Sequence, residues 1–434
     1  MVIIGAGSAM FTQGLITDLI KMNPGGHEWS IALCDIDEEV LKNVTSLVKK
    51  MLKVKKLDVE VTASPDRCEV LPGADYVIST IGVGGRRAWE QDVYIPRKYG
   101  VYQPVGDTAM PGGISRAMRM VPAMVDIVND TKRLAPKAFF FNYSNPVTGL
   151  CIGTAGSEWY IADYMGYERS RVTSLAAGIN HCTFIYDYRV DGKSVKEEIR
   201  QRISKDYSAA FDSEMIDRYH GKQEGIETDL GEPFSWDFFL RYGAYPAPGD
   251  RHITEFFTEY FPGGAYYGKR LGVDAYSFEG TIKWGDEIHE HMMGMARSEE
   301  DLPDDFFDHS HGEHEQLISI IDSIERDSRK TFYVNVPNRG AIPNLPNWAV
   351  VEMPAVATAG GLVPVYLNDF PAPLACMTNR FLAGVEMTAD AALTGDRQLM
   401  EEAIMMGGYL TDRVAVHKMV DELIEAQRQY LPQF

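Results

Sequence analysis

The N-terminal part of the chain alternates short apolar runs with longer stretches in which apolar residues recur at helical spacing. The apolar runs predict strands at residues 2–4, 30–34, 59–63, 75–81 and 138–143, and the periodic stretches predict helices at residues 38–53 and 113–133. Strands that alternate with helices are typical of a parallel sheet covered by helices on both faces. The pattern therefore predicts an α/β fold with an N-terminal, doubly wound parallel sheet of the Rossmann type.

The pattern changes near residue 186, where helical stretches alternate with irregular, aromatic-rich segments. Helices are predicted at residues 194–205, 211–219, 315–327, 390–406 and 412–430, and strands at residues 333–336 and 349–356. We therefore predict two domains. Residues 1–185 form the nucleotide-binding domain, and residues 186–434 form a mainly helical α+β domain for substrate binding and oligomerisation.

Composition excludes several classes of partner. The formal net charge of −20 argues against nucleic acid, because phosphate binding needs clustered Lys and Arg. No apolar run approaches the roughly 20 residues of a membrane helix, so no membrane contact is expected. The chain opens on an apolar strand without a secretory signal, and its five cysteines are a poor disulfide framework. A cytoplasmic location is the expectation.

The first predicted strand runs directly into a glycine turn, Gly5-Ala6-Gly7-Ser8, and then into a helix. Glycines at this place allow the backbone to approach a pyrophosphate, which the N–H groups of the helix and Ser8 would bind. Asp35 ends the second strand, where a carboxylate binds a ribose diol and repels a 2′-phosphate. The turn therefore predicts NAD rather than NADP, with an ordinary strand–helix turn as the alternative.

Further motifs occur in a fixed order along the chain. They are Gly106-Asp107-Thr108 before Pro111-Gly112-Gly113, Asn142-Tyr143-Ser144-Asn145-Pro146, Gly149-Leu150-Cys151, Gly178-Ile179-Asn180-His181 and Asn338-Arg339-Gly340 with Leu345-Pro346. Together they resemble glycoside hydrolase family four, the NAD- and metal-dependent glycosidases, over essentially the whole chain. This family is an exception among glycosidases, most of which use two carboxylates.

The resemblance implies a redox route to hydrolysis. In this family C3 of the sugar is oxidised by NAD⁺, a base removes the acidified C2 proton, and the leaving group departs from C1. Water then adds, C3 is reduced again, and a metal, commonly Mn²⁺, stabilises the enolate as a Lewis acid. The implied reaction is hydrolysis of a small-molecule glycoside without net redox change.

The resemblance also implies roles for particular residues. Cys151 and His181 match the metal ligands, and a thiolate with an imidazole suits a transition metal. The alternatives are a buried thiol and a core histidine. Asn145 matches an asparagine that holds sugar hydroxyls near the metal and the cofactor, and Asn180 is assigned to the substrate.

Candidates for acid and base chemistry come from two loops. Asp107 is a candidate general acid or hydroxyl-binding carboxylate, with helix capping as the alternative. The family's C2 base comes from the region of Gly243 to Glu255, where Asp250 matches best and Tyr245 is the second choice. His252 is expected to contact metal or substrate. Arg339 is expected to line the pocket.

The sequence departs from the family in one place. Only Val147 and Thr148 separate the Asn145-Pro146 motif from Gly149, where the family carries a helix and the start of a strand. A parallel crossover needs about a dozen residues. Either this member has lost an element or the sequence lacks a segment, and the second explanation is favoured.

The Gly106-Asp107-Thr108 and Gly249-Asp250-Arg251-His252 loops resemble the branch of the family that acts on unphosphorylated α-galactosides, α-glucosides or uronides. The first alternative hypothesis is an NAD-dependent dehydrogenase of the hydroxy-acid type, which would need no metal. The second is a non-catalytic nucleotide-sensing protein, against which the Cys151 and His181 motifs argue. The resemblance also implies a homodimer or a homotetramer.

Overall fold

A five-stranded parallel sheet organises the N-terminal part of the molecule. The computed structural model describes residues 1–8, 11–22, 27–145, 153–207, 231–303, 305–309 and 316–434. The strands of this sheet are β1 (Val2–Ile4), β2 (Ser30–Cys34), β3 (Glu60–Ala63), β4 (Tyr76–Ser79) and β5 (Phe139–Asn142). They lie in the order β3-β2-β1-β4-β5. The predicted Rossmann sheet is confirmed, and its order reverses between β1 and β4, where such sheets bind ligands.

Helices cover both faces of this sheet. They are α1 (Thr12–Met22), α2 (Glu38–Val54), α3 (Arg67–Val70), α4 (Gly85–Lys98) and α5 (Met110–Leu134). Ile3 of β1 belongs to the same buried cluster as Met51 of α2. Val77 of β4 faces the other side and clusters with Ile127 of α5. Because both faces are covered, the central strands β1 and β4 are buried along their whole length, and such apolar runs can be predicted from the sequence.

The second half contains a larger sheet than the sequence predicted. Its strands are β6 (Val172–Ile179), β7 (Cys182–Val190), β8 (Lys193–Ser194), β9 (Tyr245–Pro246), β12 (Thr331–Pro337), β13 (Val350–Thr358) and β14 (Gly361–Pro364), while β10 (Ala265–Tyr266) and β11 (Lys269–Arg270) form a separate hairpin. Neighbouring strands pair antiparallel in the order β12-β13-β6-β7-β8. The predicted boundary between residues 185 and 186 falls inside β7. Strand β6 lies before this boundary in the chain but pairs with β7 in the second sheet.

The helices of the second half are α6 (Gly153–Met165), α7 (Lys196–Tyr207), α8 (Pro233–Tyr242), α9 (Asp250–Ile253), α10 (Phe278–Arg297), α11 (Phe306–His309), α12 (Leu317–Glu325), α13 (Ala372–Thr394), α14 (Arg397–Met406) and α15 (Arg413–Ala426). Short 3₁₀ helices lie at Arg169–Arg171, Thr254–Phe256, Thr258–Tyr260, Pro262–Gly264 and Arg428–Tyr430. The helix predicted at residues 390–406 is divided between α13 and α14. Gly395 ends α13 at a φ of 71°, and the Asp396 side chain caps the start of α14.

Two predictions fall on parts of the chain that the structure does not describe. The helix expected at residues 211–219 lies outside the described residues, as do residues 146–152, which include the shortened connection and Cys151. Across the described residues, the two sheets share one hydrophobic core that includes Phe141 of β5 and Ala177 of β6. None of the described helices combines the length and the apolar composition that crossing a membrane requires.

Candidate functional site

The turn after β1 is built for close approach of a ligand to the backbone. Gly5 has a φ of 86°, and a Cβ atom at this position would lie 2.7 Å from the Ile81 nitrogen. A Cβ atom on Gly7 would lie 2.8 Å from Oδ2 of Asp35. The positive φ and the backbone contact require glycine at position 5, and a side chain at position 7 would have to displace that of Asp35. Helix α1 follows Ser8 in the chain, and the N–H groups at the start of a helix favour an anion.

Asp35 closes the same crevice from the end of β2. The Gly7 N–H donates to its Oδ2 at 2.8 Å, and the Asp37 N–H donates to its Oδ1 at 3.0 Å. Asp35 is half-buried, and each carboxylate oxygen has a second lone pair for a hydroxyl group. Strand, glycine turn, helix and acid therefore stand in the arrangement that a dinucleotide site requires.

A second group of polar side chains lies where loops from both sheets meet. Asn145 follows β5, Asn180 and His181 form the two-residue turn between β6 and β7, and Asp107 precedes α5. The Asn145 amide donates to Oδ2 of Asp107 at 3.0 Å, and the Asn180 amide donates to Oδ1 of Asn145 at 3.2 Å. Three motifs that are distant in sequence thus form one hydrogen-bonded cluster.

His181 is held firmly in this cluster. Its φ of 61° belongs to the turn, and its Nδ1 lies 2.9 Å from the Thr108 hydroxyl. Thr108 also donates to Oδ1 of Asp107 at 2.9 Å, which leaves its oxygen to accept from Nδ1–H of His181. The other ring nitrogen, Nε2, is then available as a metal ligand, an arrangement that is usual for metal-binding histidines. The ring centre of His252 lies 4.3 Å from that of His181.

Charges in the cluster favour an ionised carboxylate beside neutral imidazoles. Burial raises the pKa of Asp107, but attraction from His181 and His252, where they are protonated at low pH, and from Arg116 outweighs burial and brings this pKa below its usual value. Burial lowers the pKa of His181, and burial together with His181 lowers the pKa of His252 to about 3. Both imidazoles are therefore neutral at neutral pH, and Arg116 is the permanent positive charge beside Asp107. Neutral imidazole is the form that binds metals.

Of the two predicted metal ligands, His181 lies among the described residues. Among them, no group of three or more His, Cys, Asp or Glu side chains is arranged to hold a metal ion. Cys151, the second predicted ligand, lies outside the described residues. A neutral imidazole with an oriented Nε2, next to a carboxylate, nevertheless has the donor chemistry that suits a divalent transition metal.

Several residues of the site were not predicted from the sequence. Arg116 of α5 donates from Nε to the Asn145 carbonyl at 3.0 Å. The buried carboxylate of Glu255 accepts the N–H groups of Val105 and Gly106 at 2.8 and 2.7 Å, so it holds the loop that carries Asp107. Arg251 contributes a positive charge near His181. Glu255 ends the Gly243–Glu255 region in which the base was expected, and this position was the signal for it in the sequence.

Asp250 has a different environment from the cluster. Its carboxylate is fully buried and accepts the N–H groups of Phe234 and Ser235 at 2.7 and 2.8 Å. The hydroxyls of Ser235 and Tyr266 donate to it as well, at 2.6 and 2.7 Å. Phe234 and Ser235 lie in the first turn of α8, whose own capping residue, Glu232, makes no side-chain cap. The carboxylate of Asp250 therefore caps α8 in this structure.

The other two predicted residues also lie outside the hydrogen-bonded cluster. Tyr245 is 1% exposed, and its ring centre lies 4.7 Å from that of Trp236 in a buried aromatic group. Arg339 is exposed on the turn after β12, with a φ of 47°. Because β12 runs parallel to β6 across β13, the turns that carry Arg339 and His181 follow the same end of the sheet.

Comparison with known proteins agrees with this architecture. A model of family 4 glycosyl hydrolases matches residues 1–155, and a model of the family's C-terminal domain matches residues 176–407. The chain is 30% identical to an alpha-galactosidase of Rhizobium meliloti (strain 1021), covering 100% of this chain and 89% of the relative. It is 29% identical to an alpha-glucosidase of Erwinia rhapontici, covering 99% and 98%.

Solved structures show the same fold. A 6-phospho-alpha-glucosidase from gut microorganisms, in complex with NAD and glucose-6-phosphate, superposes with a TM-score of 0.80. It is 21% identical, and the match covers 100% of this chain and 98% of that one. The resemblance drawn from the motifs is therefore confirmed, and the chain belongs to the family 4 glycosyl hydrolases.

Proposed function

We propose that this chain is a glycosidase that hydrolyses unphosphorylated, α-linked glycosides with the help of NAD and a divalent metal such as Mn²⁺. The observation that carries the proposal is the cluster of Asp107, Asn145 and His181, which lies at the same edge of the parallel sheet as the Gly5 turn. Family membership supports glycoside cleavage.

The Gly5 turn and the polar cluster lie close together, which supports a shared reaction site. Strand β4 separates β1 from β5, so the loops after β1 and β5 lie about 10 Å apart by strand spacing. The Tyr143 N–H donates to the Ser79 carbonyl at 2.8 Å, and its ring centre lies 5.6 Å from that of Phe11 at the start of α1. A nicotinamide in the crevice would therefore lie beside the polar cluster.

The bound groups would supply the chemistry that side chains lack. A bound dinucleotide would supply reversible hydride transfer, which leaves the net reaction a hydrolysis. A bound divalent metal would supply Lewis-acid stabilisation of negative charge on the sugar. Gly5, Gly7 and Asp35 would hold the dinucleotide, while His181 and Cys151 would hold the metal.

The chain's own residues orient the sugar. The ionised carboxylate of Asp107 is suited to accept hydrogen bonds from sugar hydroxyls, and hydrogen bonds to charged groups are the stronger ones. The amides of Asn145 and Asn180 add donors and acceptors beside it. His252, a neutral imidazole next to His181, is placed to contact the metal or a sugar oxygen.

The resemblance to the family supplies the candidates for the base that removes the C2 proton. Asp250 remains the first candidate and Tyr245 the second, and in this structure both are buried away from the cluster. Arg339, at the mouth of the same sheet edge, is proposed to contact the substrate. The resemblance to the family supports these three assignments.

An unphosphorylated substrate is supported by two observations. The loop next to the sugar site presents the carboxylate of Asp107, which would repel a phosphate group. The relatives at 30% and 29% identity are named alpha-galactosidase and alpha-glucosidase, and neither name includes a 6-phospho sugar. The dehydrogenase alternative is not favoured, because the family models and these relatives are glycosidases.

The test is a panel of nitrophenyl glycosides, α and β, each with and without a 6-phosphate, incubated with NAD⁺ and Mn²⁺. We expect nitrophenol release from an unphosphorylated α-glycoside, loss of release with chelator, and no net NADH. Accumulation of NADH without nitrophenol would contradict the proposal and favour the dehydrogenase. His181→Ala should abolish release, whereas His291→Ala, an exposed histidine of α10, should not.

A further inference from the structure

The turn after β4 forms the second wall of the dinucleotide crevice. Thr80, at the end of β4, donates from its hydroxyl to the Gly5 carbonyl at 2.8 Å. The chain then continues through Ile81, which lies against Gly5, into residues 82–85, here called the Gly82–Gly85 turn. This turn follows the strand next to β1 at the switch point, so it lies beside the crevice in which such sheets bind ligands.

A buried ion pair holds this turn from behind. Arg119 of α5 donates from Nε to the Val83 carbonyl at 2.8 Å. Its two terminal nitrogens donate to both oxygens of Asp92 of α4, at 3.0 and 2.5 Å. The two side chains are 1% and 0% exposed. A buried pair is favourable only when its remaining hydrogen-bonding groups are satisfied, so its other partners decide whether it stays in place.

The C-terminal segment supplies those partners. Gln427, 1% exposed at the end of α15, donates from Nε2 to Oδ1 of Asp92 at 2.5 Å and to the Ser115 hydroxyl at 3.2 Å. Three residues later the ring of Tyr430 lies against Gly84, where an added Cβ atom would be 2.9 Å from its Cε2. The segment thus supports the Gly82–Gly85 turn through the ion pair and by direct contact.

The same network reaches the sugar side. The Gln103 amide donates to the Asp92 carbonyl at 2.9 Å, and its oxygen accepts the Gly112 N–H at 2.8 Å. A Cβ atom on Gly112 would lie 2.8 Å from the Gly106 carbonyl, next to Asp107. Hydrogen bonds therefore connect Asp92 to the Gly82–Gly85 turn through Arg119, and to the start of α5, next to the Asp107 loop, through Gln103.

We propose that Gln427 and Tyr430 are positioning residues that hold the Gly82–Gly85 turn in the conformation that binds the dinucleotide. This inference depends on the proposed function, because it presupposes that the crevice binds NAD(H). Among the described residues, the C-terminal segment makes no hydrogen bond to the Gly5 turn or to the polar cluster, so its role in cofactor affinity would be indirect.

The experiment measures the Kd of NADH by its fluorescence in the full-length protein, together with Tm. The variants are Gln427→Leu, which removes two hydrogen bonds, and Tyr430→Ala, which removes the ring. Tyr430→Phe keeps the ring. Gln433→Leu is the matched control, since Gln433 donates to the carbonyls of Met118 and Ala392 and not to Asp92.

We expect NADH binding to weaken about tenfold in Gln427→Leu and in Tyr430→Ala, the effect of losing one hydrogen bond to a charged group or an equivalent contact. Tyr430→Phe and Gln433→Leu should bind NADH as the wild type does, even where Gln433→Leu lowers Tm. Unchanged Kd in the first two variants, or equal weakening in Gln433→Leu, would overturn the inference. A wild-type protein that does not bind NADH would overturn the proposed function as well.

Discussion

The imidazole rings of His181 and His252 lie with their centres 4.3 Å apart, although one belongs to the β6–β7 turn and the other to the short helix α9. The contact joins the hairpin of the second sheet to the loop region that was expected to provide the base. Since both rings are neutral at neutral pH, the pair is suited to coordinate a metal rather than to bind an anion.

Thr108 should tune metal affinity although it is not a predicted ligand. Its hydroxyl fixes Nδ1 of His181 at 2.9 Å, and the loss of such an outer partner costs about 10- to 100-fold in metal affinity. We expect Thr108→Val to weaken Mn²⁺ binding in this range while NADH binding stays unchanged. Calorimetric titration with Mn²⁺ measures the effect, and Thr394→Val, on the exposed end of α13, is the control. Equal Mn²⁺ affinities of Thr108→Val and the wild type would exclude the assigned orientation of His181.

Asp107→Asn should lower kcat/KM by at least about tenfold, because hydrogen bonds to a charged group contribute about 1.5–3 kcal/mol. The pKa of Asp107 lies below its usual value, so the native side chain is ionised at neutral pH, and the amide removes that charge with little change of shape. Steady-state kinetics on the best glycoside of the panel, with NADH affinity as the control, provides the test. Normal turnover in this variant would rule out a role for the carboxylate.

Glu255 should make stability depend on pH. Burial raises its pKa to about 8, so the fold binds its proton more tightly than the unfolded chain does. The stability it contributes is therefore complete below its ordinary pKa and is lost as pH rises through about 8. We expect Tm to fall less between about pH 5 and about pH 9 in Glu255→Gln, which keeps an acceptor for the Val105 and Gly106 N–H groups, than in the wild type. Glu259→Gln, at an exposed position nearby, should show the same dependence of Tm on pH as the wild type. If Glu255→Gln also showed the wild-type dependence, the raised pKa of Glu255 would be contradicted.

Asp250→Ala should lower stability by about 3 kcal/mol, since it removes the cap of α8 and leaves buried donors unpaired. Asp250→Asn should lose less, because one oxygen remains to accept. Thermal unfolding measured beside kcat separates the two roles of this residue. Loss of turnover at unchanged Tm in Asp250→Asn would support the base expected from the sequence and contradict a purely structural role.

Asp35→Ala should weaken NADH binding by about tenfold and reduce the preference for NADH over NADPH, because the carboxylate that repels a 2′-phosphate is removed. Gly7 would also lose its hydrogen-bond acceptor, so Asp35→Asn, which keeps an oxygen there, separates the charge from the contact. Fluorescence titration with both nucleotides gives the ratio. An unaltered ratio in both variants would remove Asp35 from the cofactor site.

Much of the N-terminal sheet could be predicted because its signals are local. A buried parallel strand needs only a few consecutive apolar residues, and the Gly5 turn follows directly in the chain. The same holds for the association of motifs with strand ends, such as Asn145 after β5. Helix α2, which has one apolar face, was predicted within one residue of its ends, whereas α5 begins three residues before its predicted start and α10 was not predicted.

The antiparallel sheet and the supporting residues of the site could not be predicted in this way. Strand β6 pairs with β13 at Gly178 and Glu352, a contact that no local periodicity encodes. Glu255 reaches Gly106 across 149 residues of sequence. Such contacts depend on how the two halves pack, and a buried carboxylate resembles any exposed one in the sequence. The cap that Asp250 provides to α8 is hidden for the same reason.

The proposed route to cleavage removes the C2 proton after oxidation at C3, whereas direct displacement at C1 leaves that proton in place. Turnover in D₂O with NAD⁺ and Mn²⁺, followed by mass and NMR analysis of the released sugar, distinguishes the two routes. We expect deuterium bonded to C2 of the product. A released sugar that carries no deuterium on carbon would contradict the proposed route.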